Sequence, residues 1–202
     1  MKIRRRTLAS ATSASAVSVS VLRRIGRMMR DPRGVSAIEF ALIVPAIILL
    51  YVGTAELGNA LTVYRRTSQV AATAADLTAQ VKTVTKSDIK DIQAAATSIL
   101  TPYATSPLKI VLSSVVADAS NNGKVDWSCA SSGTARSYNS SYPVPAGLTE
   151  ANSSVIVAEI TYTFSPLLGL TSIFSPGSFT MARTFYTRPR QSVKVVKSDN
   201  GC

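Results

Sequence analysis

The alternation of apolar and polar positions divides this chain into stretches with different rhythms. From Val35 to Leu57 apolar residues run almost unbroken, and Phe40 to Ala55 carries no charge. As a helix, these 23 residues span about 34 Å at about 1.5 Å per residue. A bilayer's hydrocarbon core is about 30 Å thick, so the pattern predicts a membrane span rather than a buried soluble helix. Pro45 lacks the N–H that would bond the Ala41 carbonyl, which predicts a kink that a membrane helix tolerates. Past the span, Leu57, Leu61, Tyr64, Ala71, Ala74, Leu77, Val81 and Val84 recur mostly at three- or four-residue intervals. They predict an amphipathic helix continuing the span, with the alanines of AATAAD leaving a narrow surface for close packing.

Thr85 and Asp88 have capping-box spacing and predict a second helix running through DIKDIQAAATSIL to Pro102. The rhythm then becomes that of strands. LKIVLSSVVAD, KVDWSC, SVIVAEITYTFSP and SFTMARTFYTRP are rich in β-branched and aromatic residues and are separated by Asn, Gly, Ser and Pro. SNNGK between the first two predicts a hairpin turn. A long helix laid on a small antiparallel sheet is an α+β arrangement. Residues 129–150 have no periodicity and predict a long surface loop, in which Tyr138 and Tyr142 are candidate partner contacts.

The net charge of +11 at first invites nucleic acid as a partner, but its distribution points elsewhere. Residues 1–33 hold nine basic side chains against Asp31, or +8, which leaves +3 for everything after them. A basic block directly before an apolar run marks a cytoplasmic flank, and no basic stripe interleaved with aromatics supports nucleic-acid binding. The Ser- and Ala-rich ASATSASAVSVSV is separated from the apolar run by RRIGRMMRDPR, so residues 1–33 read as a disordered basic leader rather than an ordinary signal peptide. The chain after Leu57 then faces outward, where Arg65 and Arg66 are placed to meet lipid headgroups or Glu56.

The chain has no histidine and only two cysteines, which excludes Ser-His-Asp and Cys-His triads and the usual zinc sites. No phosphate-cradling glycine loop occurs, no cofactor or metal is expected, and the chain does not read as an enzyme. An envelope hydrolase would have to work through carboxylates such as Glu150 or Glu159. In an oxidising compartment Cys129 and Cys202 read either as a disulfide or as two separate thiols. A bond closing about 74 residues would add about 4 kcal/mol on the chain-entropy model. The N-x-S sequences at Asn139 and Asn152 are expected by chance in a Ser-rich chain.

One stretch is more specific. RGVSAIEFALIVP sets Gly34 after the basic leader and Glu39 and Phe40 at the mouth of the span, where a carboxylate is costly without a partner or purpose. This arrangement resembles the processing site of type IV-like prepilins, which a membrane peptidase cuts after the glycine. RGVSAIEFALIVPAIILLYVGTAELGNAL further resembles the opening of TadE-like proteins, minor pseudopilins of the tight-adherence (Tad, or Flp) pilus, with Glu56, Leu57 and Gly58 following the span as in that pattern. The resemblance covers residues 33 to about 64.

It implies a pilin-like, membrane-anchored α+β protein with a cleaved leader at 1–34, a transmembrane helix at 35–57, two helices within 58–101 and a periplasmic β-rich region at 102–202. Gly34, Val35, Glu39 and Phe40 would be substrate features for the peptidase, and Pro45 the helix kink. The implied role is structural, in a pilus serving adhesion and biofilm formation. Expected partners are the prepilin peptidase, other pilus subunits and pseudopilins, and the inner-membrane assembly platform. The alternative is an unprocessed, membrane-anchored periplasmic scaffold or binding module.

Overall fold

A computed structural model describes Gly26, residues 34–166 and residues 177–202. The expected disordered leader lies outside the described residues apart from Gly26 and Gly34. Helix α1 is continuous over Val35–Ala79 and contains Pro45 without interruption. The strand β1 (Thr83–Val84), helix α2 (Lys86–Ser98) and strands β2 (Leu108–Ala117), β3 (Gly123–Ala130), β4 (Ser154–Phe164), β5 (Phe179–Thr187) and β6 (Val196–Lys197) follow. The chain divides into two compact units, one up to Val52 and one from Gly53 to Cys202. The architecture is α+β, with a long apolar N-terminal helix and a small antiparallel sheet.

In the second unit α1 buries Ala60, Val63, Thr67, Val70, Ala71, Ala74, Ala75 and Thr78. Their spacing keeps them on one side of the helix, and their small size lets a sheet approach closely. The threonine hydroxyls on this face donate back to carbonyls four residues earlier, Thr67 to Val63 and Thr78 to Ala74, each at 2.8 Å, so burial leaves no orphaned hydroxyl there. The predicted face is corrected at its start. Leu57, Leu61 and Tyr64 are 60%, 52% and 41% exposed, because the close-packed side follows the small residues rather than the bulky ones.

Thr85 caps α2 as expected. Its hydroxyl accepts from the Asp88 N–H while the Asp88 carboxylate accepts from the Thr85 N–H. The helix stops at Ser98, short of Pro102. Its buried Gln93 donates to the carbonyls of Ile110 and Cys129, tying helix to sheet. The four-stranded sheet has the order β3-β2-β4-β5, antiparallel throughout. Between Ser114 and Val115 the β2–β3 register shifts, because Ser114 pairs with Trp127 and Val115 with Val125, leaving Asp126 as an extra residue on β3. One apolar cluster joins α1 and α2 to Ile110, Leu112, Ile156, Ile160 and Met181. A second, on Val115, Val125, Val155 and Val157, is completed by Tyr142.

Tyr142 therefore corrects the reading of 129–150 as free surface: it is 5% exposed, whereas Tyr138 is 78% exposed. The segment around it lies along β3, with Tyr142 N–H bonded to the Gly123 carbonyl and Val125 N–H to that of Ser140. The β2–β3 hairpin turn forms as expected. Asn121 takes the left-handed conformation (φ 61°), and the Asp118 carboxylate accepts from the N–H groups of Ser120 and Asn122. Gly123 belongs to β3, and its missing side chain is what admits Tyr142. A Cβ there would lie 2.6 Å from the Tyr142 carbonyl oxygen and 2.9 Å from Val144.

Backbone oxygen cannot swing aside, so Gly123→Ala is expected to cost about 1–3 kcal/mol of stability. Chemical denaturation of the detergent-solubilised chain measures it, and an unchanged midpoint would contradict the close approach.

Candidate processing site and anchored domain

Gly34 leads directly into α1, whose first residue is Val35. Val35 is 50% exposed and Phe40 69% exposed, and Glu39 is exposed as well. Glu39 stands four positions after Val35, so the two lie one turn and about 6 Å apart along the same side of the helix. Beyond them Leu42, Ile43, Ile47, Ile48, Leu50 and Tyr51 are all exposed. An apolar surface on every side of a helix is stable in lipid or against other helices, not in water. This helix is long and apolar enough to cross a membrane.

Arg65 is exposed. Arg66 turns to the domain, donating to the Ile99 carbonyl at 2.8 Å and to the Thr101 carbonyl, with its guanidinium 5.5 Å from the Tyr103 ring centre. Glu56 is buried.

The carboxylates considered for hydrolysis are each held by an arginine. Arg136 grips Glu159 with two hydrogen bonds of 2.6 and 2.5 Å and lies 4.6 Å over the Tyr142 ring, while the Tyr142 hydroxyl donates to Glu159. The bond to Glu159 raises the Arg136 pKa, and burial raises that of Tyr142 above its ordinary value. This fork clamps the 129–150 segment onto β4. Glu150 pairs with Arg188 at 3.6 Å on the surface. Among the described residues no three or more His, Cys, Asp or Glu side chains cluster as a metal site would require. Asn139 and Asn152 sit at left-handed turn positions, φ 60° and 64°.

Cys129 and Cys202 are joined by a disulfide. The tail it closes is woven in far more extensively than sequence indicated. Strand β6 pairs in parallel with β1, Val195 is fully buried, and its carbonyl accepts from the indole N–H of Trp127 at 2.9 Å. Asp199 accepts from the Lys86 N–H at the start of α2 and pairs with Lys197.

An apolar helix with an exposed start, followed by a disulfide-closed domain, defines an α+β protein whose N-terminal helix is a candidate membrane span. Residues 34–76 match the model of the TadE-like protein family, so the resemblance carried by Gly34, Glu39 and Phe40 holds for a segment that starts at Gly34 itself and ends within α1. No curated protein and no solved structure matches the chain.

Three carboxylates outside the span are held below the ordinary value of 3.8: Asp88 by hydrogen bonds from Thr85, Asp118 by the Asn122 N–H, and Asp199 by Lys197 and then the Lys86 N–H. Each binds a proton less readily folded than unfolded, so its stabilisation is complete above 3.8 and is lost as pH falls through the folded value. Thermal midpoints should be level between about pH 7 and 5 and decline below about pH 4. Asp199→Asn should reduce the acid-dependent part of that decline. A midpoint rising on acidification would refute the assignment.

Proposed function

We propose that this protein is a minor pseudopilin of a Tad pilus, inserted in the bacterial inner membrane with a basic leader in the cytoplasm and its domain in the periplasm, and cut after Gly34 by a prepilin peptidase. A TadE-like segment implies a Tad pilus-associated component that meets other components of that machinery, and the apolar helix implies membrane anchoring. The single observation that carries the finer reading is the juxtaposition at the start of α1. Gly34 stands immediately before the helix, and Glu39 is exposed one turn beyond Val35.

Cleavage after Gly34 makes Val35 the first residue and gives it an α-ammonium with a reference pKa of about 7.7–8.0. A positive charge at a helix N-terminus opposes the positive end of the helix dipole. Glu39 of the same or a neighbouring subunit offsets it. Between subunits, pairing Glu39 with a neighbour's Val35 ammonium neutralises both charges as helices pack and fixes their axial register. In this reading Gly34, Val35, Glu39 and Phe40 are recognised by the peptidase, Pro45 kinks the span, and the assembly platform receives the mature chain. The protein performs no catalysis itself.

N-terminal sequencing and intact mass of the membrane-bound protein, with and without the prepilin peptidase, test this. The expected result is a peptidase-dependent start at Val35, leaving 202 − 34 = 168 residues. A start at Met1 in both cells would replace the proposal with an unprocessed anchored module. Compared on its processed fraction, Glu39→Ala should co-purify with the other pilus components about tenfold less, about 1.4 kcal/mol. Co-purification at the wild-type level would remove the register role.

A further inference from the structure

The two edges of the four-stranded sheet are not alike. The outer edge of β3 is closed by the chain itself, through the bridge between Lys124 and Ser141 and the hydrogen bonds from Val125 to Ser140, Asn139 to Val125 and Tyr142 to Gly123. At the other edge β5 pairs with β4 through nine consecutive residues in unbroken register. Among the described residues, no further backbone hydrogen bond involves Phe179–Thr187. Proteins guard such an edge with proline, lysine, inward charges or a bulge. FTMARTFYT has no proline, lysine or carboxylate and no bulge; its one guard is the inward charge of Arg183, which turns away any strand that does not bring an anion opposite it.

Its α1-facing side is chemically distinctive. Phe179 and Phe185 are 49% and 41% exposed, and Phe185 borders an open groove of about 360 Å³ against Thr73 and Leu77 of α1. Between the two phenylalanines, the Arg183 guanidinium stacks 3.8 Å from the Tyr64 ring centre. The neighbouring arginines are neutralised, Arg188 by Glu150 and Arg190 by Asp76. Among the described residues no carboxylate reaches Arg183, and its buried Nε–H has no acceptor.

We propose that the β5 edge receives an extended strand of a partner protein, with a carboxylate opposite Arg183 and an apolar side chain entering the groove beside Phe185. Backbone hydrogen bonds supply affinity, and the residue facing Arg183 across the new strand pair supplies selectivity. A second copy offering its own β5 is disfavoured, because self-pairing centred on Arg183 would oppose two arginines. The argument rests on the sheet and stands apart from leader processing.

The test uses the detergent-solubilised full chain and a capped nine-residue peptide of alternating valine and threonine with a central glutamate. Peptide binding should slow hydrogen exchange of the amides in 179–187 and leave β3 unchanged. A lysine-centred peptide should bind about tenfold more weakly, and Arg183→Gln, which removes the charge and keeps a polar side chain, should remove that difference. Equal binding of the two peptides, or no slowing in β5, overturns the proposal. So does a dimer whose β5 amides are already protected before peptide is added, because a second copy would then be the occupant.

Discussion

The domain depends on the face that α1 turns to the sheet. Ala71, Ala74 and Ala75 present almost no side chain beyond Cβ and are buried in one cluster with Ile110, Leu112 and Ile160. Larger residues on that face would lift the helix away and open voids along its whole contact length. The hydroxyls of Thr67 and Thr78 are compatible with this burial only because they bond within the helix. Arg190 completes the arrangement, its backbone N–H bonding the Ala79 carbonyl at the helix end.

The elements themselves were largely legible in the sequence. The four longer strands follow β-branched and aromatic runs bounded by turn residues, and the Thr85–Asp88 pair marks the start of α2 by a local rule needing no tertiary information. The burial of α1 was less so. A three-and-four rhythm can be threaded through Leu57, Leu61 and Tyr64 or through Ala60, Val63 and Thr67, and hydrophobicity favours the former. The choice between them is made by what the sheet can approach, a property of the partner surface. Tyr142 was misread for a similar reason: an aperiodic segment carries no signal of lying along β3, although Gly123 is small at the place where it must be. The tail was least legible, since two-residue strands in parallel have no sequence pattern.

At the candidate site the legible part is what one helix turn contains. Gly34, Val35, Glu39 and Phe40 are neighbours in sequence and remain neighbours in space, so their spacing could be read before any fold was known. The open β5 edge is the opposite case. Its single charge, Arg183, is visible in FTMARTFYT, but that charge has meaning only once β5 is known to be outermost among the described strands and β3 to be covered. The two surfaces differ in kind, one built from helix chemistry and one from strand backbone left unpaired among the described residues.

Under the proposed pilus role the chain bears mechanical load, and the Cys129–Cys202 bond then has a consequence beyond folded-state stability. Strands β4, β5 and β6 all lie between the two bonded cysteines. Tension entering through α1 can therefore unravel and lengthen the chain only as far as Cys129. Everything after that point is a covalently closed ring, which transmits pull across the bond without paying out further contour.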